Sequence, residues 1–267
     1  MGSASSELPA WPTCASNRRP MRAIIFAGPT LPPHARPVSD PRIDWRPPVR
    51  QGDVYRAALT RPAIIGIVDG YFEVVPTVWH KEVLWAMAEG IHIFGAASTG
   101  ALRAAELDSF GMNGIGRIYE AFRDGILEDD DEVAVLHGPE ELGYPALTEA
   151  MVNIRATVSE AERRGILMPE LAAQLTEIAK ALFYKERCYD SVLQRAALSG
   201  LAAAPLRDFT AWLPRGRIDQ KRRDAEAMVG SIRVRLSEDL QPMRVTYELA
   251  ETVAWQAARR RVDSTID

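Results

Sequence analysis

Three short apolar runs, each closed by small or turn-forming residues and each followed by helical spacing, constrain this chain most. They are Ala23 to Ala27, Ala63 to Val68 and Ile91 to Phe94. A strand buried on both faces reads as such a run, and its alternation with helices is the rhythm of a parallel sheet. Right-handed crossovers would bring the C-terminal ends of all three strands to one edge. The expected fold class is therefore α/β, a small parallel sheet of three or more strands flanked by helices. The C-terminal half reads as mainly helical.

Between the runs, Pro29 to Pro48 is rich in Pro and Arg and reads as an irregular loop. Val49 to Thr60 reads as a helix stopped by Pro62. Helical spacing covers Thr77 to Glu89, with Gly90 as its stop. Gly95 to Gly100 reads as a tight turn and Ala101 to Phe110 as a helix. Further on, Gly114 to Gly125 is expected to be helical, and Val133 to Leu136 an edge strand. Helices are expected over 147–164, 170–184 and 188–199, with a weaker set over 206–262. The organisation this implies is a disordered tail over 1–20, an α/β core with a helical continuation over 21–200, and a helical extension over 201–267. Met21 is a candidate internal start.

At 267 residues the chain should bury roughly 70–75% of its unfolded surface without staples. A net charge of −4 argues against a strongly basic nucleic-acid binder. No apolar run approaches the length of a membrane span, and the first twenty residues lack the apolar segment of a secretory signal. Cys14 and Cys188 have no CxxC spacing, and a reducing, cytoplasmic compartment fits two lone cysteines. The glycines fit neither a P-loop nor a dinucleotide fingerprint, so no cofactor is expected. Only Lys81, Lys180, Lys185 and Lys221 are lysines, against 28 arginines, so each lysine is worth weighing as a neutral base.

The stretch richest in chemistry is Gly95-Ala96-Ala97-Ser98-Thr99-Gly100, a loosened G-x-S-x-G nucleophile elbow. Such a turn lifts its serine above the sheet edge, and the N–H groups opening the next helix can stabilise an oxyanion. The plainer alternative is that small residues serve close strand–helix packing and Ser98 caps the helix. A serine needs a base. Lys81, in the first turns of the helix after the second run, is one candidate. His80, oriented by Asp69 at the end of that run, is the rival. The turn Phe26 to Thr30 ends the first run at the same edge, where Gly28 could offer an N–H. Arg103 could meet a substrate carboxylate or simply pair with Glu106. Glu128 to Glu132 reads as a solvated acidic face rather than a metal site, or as a docking surface. His92 reads as a core residue, and His137 receives no role.

Together these segments resemble the TfuA family, partners of YcaO enzymes in peptide-backbone thioamidation. The likeness lies in IFAGPTL (Ile25 to Leu31), QGDVYRAA (Gln51 to Ala58) and Ile65 to Gly90. It continues through GAASTGALRAAELDSFGMNGIG (Gly95 to Gly116) and FRDGILEDDDEVAVLHGP (Phe122 to Pro139). The resemblance implies hydrolysis of the thiocarboxylated C-terminus of a ThiS-type, ubiquitin-fold sulfur carrier, releasing sulfide for YcaO in natural-product (RiPP-like) biosynthesis or protein modification. It also implies a better hold of YcaO on its peptide. A Ser–Lys pair is assigned to the hydrolysis in that family, which falls here on Ser98 and Lys81. The family's elbow usually carries methionine where this chain has Thr99.

The expected mechanism has neutral Lys81 take the proton of Ser98, which attacks the thiocarboxylate carbon. Thr99, Gly100 and Gly28 would provide the oxyanion donors, at about 3–4 kcal/mol each. Asp69 lies at the same edge, and Arg103 would offset the anionic thiocarboxylate. No metal is expected. The competing expectation is a non-catalytic adaptor bridging YcaO, peptide and sulfur donor. A weaker one is a general serine hydrolase of small esters or amides.

Overall fold

A computed structural model of the chain describes residues 21–37, 40–73 and 75–265. The tail expected over 1–20 and Cys14 lie outside the described residues. Among those described, the strands β1 (Ala23–Phe26), β2 (Ile43–Arg46), β3 (Ile64–Ile67), β4 (His92–Ala96) and β5 (Asn113–Ile115) form one sheet. Its order is β2-β1-β3-β4-β5, and every pairing is parallel. The register sets Phe26 opposite Ile67 and Ile67 opposite Gly95. The residues that follow each strand therefore leave the sheet at one level, as the sequence rhythm predicts.

The helices α1 (Asp53–Leu59), α2 (His80–Ala88) and α3 (Thr99–Leu107) cover one face. Val54, Ala57, Val83, Ala86, Met87, Ala101 and Ala104 join Ile24, Ile65 and Ile93 in a single buried cluster there. The opposite face is covered by α9 (Gln220–Arg235). Its Ala225, Met228, Val229 and Ile232 sit at i, i+3, i+4 and i+7 and pack with Ile25, Ile64, Val68 and Phe94. Burial of Met228, Val229 and Ile232 contributes roughly 1.5–3 kcal/mol each relative to exposure, so α9 is a firmly held layer of the core.

The helices α5 (Met151–Arg163), α6 (Pro169–Ala181), α7 (Tyr189–Leu198) and α8 (Ala203–Gly216) pack around a separate apolar cluster. The last helix, α10 (Val253–Asp263), returns to α1 and buries Trp255 and Val262 against Tyr55. None of the described helices is long and apolar enough to cross a membrane.

Four local readings are corrected. The Pro- and Arg-rich stretch contains the edge strand β2. Helix α1 starts at Asp53, because Val49 instead bridges to Gly70 and Gly52 takes a left-handed φ of 91°. The expected helix over Gly114 to Gly125 is divided, with β5 giving way at Gly116 (φ 98°) to α4 (Arg117–Arg123). Val133 to Leu136 forms no strand. It follows a single 3₁₀ turn at Asp130–Glu132 and leads to a lone bridge between His137 and Ala146.

Candidate active site at the sheet edge

The strand order reverses on either side of β1, and in open α/β sheets ligands bind beyond the strand ends at such a reversal. Here Asp69, directly after β3, fills the crevice. Its carboxylate accepts the N–H of Gly28 at 2.8 Å, the N–H of Thr30 at 3.0 Å and the Thr30 hydroxyl at 2.5 Å. Asp69 is 1% exposed, so the turn after β1 is pinned to the end of β3 by a buried carboxylate. Behind it, on α9, lies Lys221, itself 3% exposed. Its ammonium donates to the carbonyl of Val133 at 2.8 Å and stands 4.0 Å from Asp69 Oδ1. Burial lowers the Lys221 pKa, against the raising pull of Asp69, Asp219 and Glu149.

Next along the edge, β4 ends in a strained turn. Ala97 has a φ of 66°, and the N–H of Ser98 donates back to the carbonyl of Ala96 at 2.7 Å. That three-residue γ-turn, with a left-handed alanine at its centre, delivers Ser98 to the N-terminus of α3. The flanking glycines explain the rest of the motif. A Cβ on Gly100 would lie 1.8 Å from the carbonyl oxygen of Ile67, and one on Gly95 would lie 2.1 Å from that of Gly100. Strand and helix thus touch backbone to backbone, which only glycine permits.

Ser98 and Thr99 line a cavity of about 440 Å³, with Asp69, Gly70, Tyr71 and His137 on its other walls. Ser98 is 7% exposed, and its hydroxyl has no hydrogen-bond partner among the described residues. Of the three expected oxyanion donors, two are already engaged: Gly28 N–H by Asp69 and Gly100 N–H by the carbonyl of Val68 at 3.1 Å. The N–H of Thr99, at the first helical position, has no intrahelical acceptor and remains for a ligand.

The other expected residues stand elsewhere. Val83, Ala86 and Met87 turn toward the sheet, and Lys81 lies about 120–160° around α2 from each of them. It is partly exposed on the outer side of the helix and does not line the cavity. His80 bonds through Nε2 to Glu106 at 2.8 Å, not to Asp69, so no Ser-His-Asp set is assembled from these groups. Arg103 pairs with the same Glu106 at 2.6 Å and donates from Nε to the carbonyl of Val78 at 3.1 Å. That is the plain pairing weighed from the sequence, and it holds Arg103 away from the cavity. His92 is half-buried and bonds to the carbonyl of Gln241 at 2.9 Å.

The acidic run is a solvated face only in its first part, over Glu128 to Asp130. Lys180 binds Asp129 and Glu132 at 3.0 Å each, as well as Asp131, while the fully buried Arg187 holds Asp131 at 2.6 Å. Arg155 clasps Glu132 through two hydrogen bonds. Asp131 and Glu132 are thus engaged inside the molecule, whereas Glu128, Asp129 and Asp130 remain exposed.

Two features of the site escape the linear pattern. His137 lines the Ser98 cavity from nearly forty residues away in sequence, on a loop without regular structure. Lys221 shares a helix face with Ala225, Met228 and Ile232, and that spacing was the available sign that it is buried.

Comparison with known proteins adds one finding. Residues 69–188 match the family model described as TfuA-like protein. Over that span, a little under half of its length, the chain is similar to the TfuA-like family. No match to the chain was found among curated proteins. The TfuA-like segment carries Asp69, Lys81, Ser98, Thr99 and His137. Gly28, Thr30 and Lys221 come from outside it, so the clamp on Asp69 joins the matched segment to flanking parts of the chain.

Proposed function

We propose that the protein is a Ser98-dependent hydrolase. It would release sulfide from the thiocarboxylated C-terminus of a ThiS-type carrier and supply it to a YcaO enzyme for peptide-backbone thioamidation. TfuA-like proteins are associated with YcaO partners, which gives the setting. The single observation that carries the hydrolytic step is Ser98 itself. It sits on a strained turn, faces a cavity of substrate size, and neighbours the uncommitted N–H of Thr99. A buried serine whose hydroxyl is unbonded, beside an open helix N-terminus, suits acyl transfer better than a packing role.

In this reading the carrier's C-terminal tail enters the cavity and Ser98 Oγ attacks the thiocarboxylate carbon. The N–H of Thr99 stabilises the oxyanion. Arg103, locked to Val78 and Glu106, leaves the anionic sulfur to Lys185 at the cavity wall. Glu73 lies 2.9 Å from that ammonium, raising its pKa and keeping it charged. Lys81 is the proton acceptor implied by family likeness, and its outward direction leaves the role to a group nearer the serine.

The adaptor reading has one observation in its favour: among the described residues no base is hydrogen-bonded to Ser98. Sulfide release from a thiocarboxylated carrier separates the two. The hydrolase reading expects Ser98→Ala to lose at least about 100-fold in rate with its urea midpoint unchanged, the usual order of effect for a nucleophile. Folded wild type that releases no sulfide, even with YcaO present, would leave the adaptor as the better account.

A further inference from the structure

Within the Ser98 cavity most ionisable groups are already committed. Asp69 is saturated by Gly28 and Thr30. The Tyr184 hydroxyl donates to Glu73 at 2.8 Å, and Lys185 pairs with the same carboxylate. His137 differs. Its Nδ1 lies 2.8 Å from the carbonyl oxygen of Gly138, which can only accept, so Nδ1 carries the proton. In the neutral ring that leaves Nε2 with a free lone pair.

The ring is also held in place. It stands between the rings of Tyr71 and Tyr144, at centroid distances of 5.9 and 5.8 Å. The backbone beneath is pinned by the His137–Ala146 bridge and by the Gly138 N–H bond to the carbonyl of Pro145 at 2.8 Å. The loop carrying Tyr71 lies directly against the Ser98 turn, because a Cβ on Gly70 would come within 2.7 Å of Thr99 Oγ1. Serine, open N–H and imidazole thus line one cavity, with the carbonyl of Gly138 fixing the tautomer.

We infer that His137 is the general base for Ser98, in the place that the family likeness gives to Lys81. The inference rests on the hydrolase reading above. His137 Nε2 takes the Ser98 Oγ proton as the Oγ–C bond forms. The imidazolium then returns that proton to sulfur as the C–S bond breaks, and hydrosulfide leaves an acyl-Ser98. Water, deprotonated by the same Nε2, attacks the ester. The Oγ–C bond breaks, the proton returns to Oγ, and the carrier departs with an ordinary carboxylate. The net change consumes one water and yields carboxylate, hydrosulfide and one proton.

The test uses the full chain with thiocarboxylated carrier, comparing wild type, Ser98→Ala, His137→Gln, His137→Ala and Lys81→Met. Both Ser98→Ala and His137→Gln are expected to lose at least about 100-fold, within the range for a general base. Added imidazole is expected to restore at least tenfold of the His137→Ala loss, which a merely structural histidine would not allow. Urea midpoints close to that of wild type exclude misfolding as the cause. If His137→Gln keeps its rate while Lys81→Met loses it, the inference is overturned and the hydrolase reading stands. If wild type releases no sulfide, the hydrolase reading falls, and labelling of Ser98 by a fluorophosphonate probe decides the inference alone. Slower labelling in His137→Gln would sustain it; equal labelling, or none in wild type, would overturn it.

Discussion

The carboxylate of Asp69 and the ammonium of Lys221 face each other 4.0 Å apart, both buried, at the point where the strand order of the sheet reverses. Asp69 belongs to the turn after β3 and Lys221 to the helix on the far face of the sheet, 152 residues along the chain by their numbering. Through Gly28 and Thr30 the same carboxylate holds the turn after β1. One buried charge pair therefore joins the ends of β1 and β3 to α9 directly behind the Ser98 cavity.

Removing one partner strands the other in a dry environment. Lys221→Met is expected to destabilise the protein by about 3–5 kcal/mol, the usual cost of an uncompensated buried charge. Asp69→Asn should cost at least as much, since it also puts an amide against two backbone N–H groups. The double variant should be less destabilised than the sum of the singles. Urea unfolding of all four proteins measures this, and strict additivity would mean that the two groups are not coupled.

The lowered pKa of Lys221 carries a pH signature. Below its folded value the lysine is charged in both folded and unfolded chains, and its burial costs the full penalty. Between that value and the ordinary lysine value of 10.5, the unfolded chain binds the extra proton. Stability from this group therefore rises with pH across that window. The opposing carboxylates, Asp69, Asp219 and Glu149, narrow the window without reversing its sign. Wild type should gain on Lys221→Met as alkaline pH is approached. Parallel stability curves for the two proteins would refute the assignment.

Much of this edge was legible in the linear sequence because strands, turns and small-residue motifs are local. The runs at Ala23, Ala63 and Ile91 are recovered as β1, β3 and β4, and Ser98 lies where an elbow would put it. Strand β2 was hidden among prolines and arginines, since a short polar edge strand lacks the apolar signature of its buried neighbours. Lys81 was placed by topology at the correct end of the sheet, yet topology does not say which way a side chain leaves a helix. His137 and Lys221 reach the site from distant loops and helices. No spacing rule links them to Ser98.

Gly100 offers a direct test of the backbone contact that sets the turn. A methyl group there would point into the carbonyl of Ile67, and neither strand nor helix backbone can yield without loss of pairing. Gly100→Ala should therefore cost more than the 1–3 kcal/mol typical of ordinary overpacking, or fail to fold. A thermal midpoint close to that of wild type would mean that α3 can slide away from β3 at little cost.

Ala97 separates strain from stability. Its left-handed φ of 66° costs roughly 1–2 kcal/mol for any residue with a Cβ, so Ala97→Gly relieves that strain. The same change exposes no polar group, but it forfeits a fully buried methyl worth about 0.8 kcal/mol. It also gives the unfolded chain extra freedom worth about 0.4–1 kcal/mol. The three effects nearly offset one another, and the unfolding midpoint should move little. Catalysis should respond differently, because a glycine lets the turn relax and Ser98 drift relative to Thr99 and His137. A displacement of about 1 Å can cost on the order of 100-fold in rate. Ala97→Gly is thus expected to keep wild-type stability and lose at least tenfold in sulfide release. Full turnover in that variant would mean that the strained turn merely connects β4 to α3.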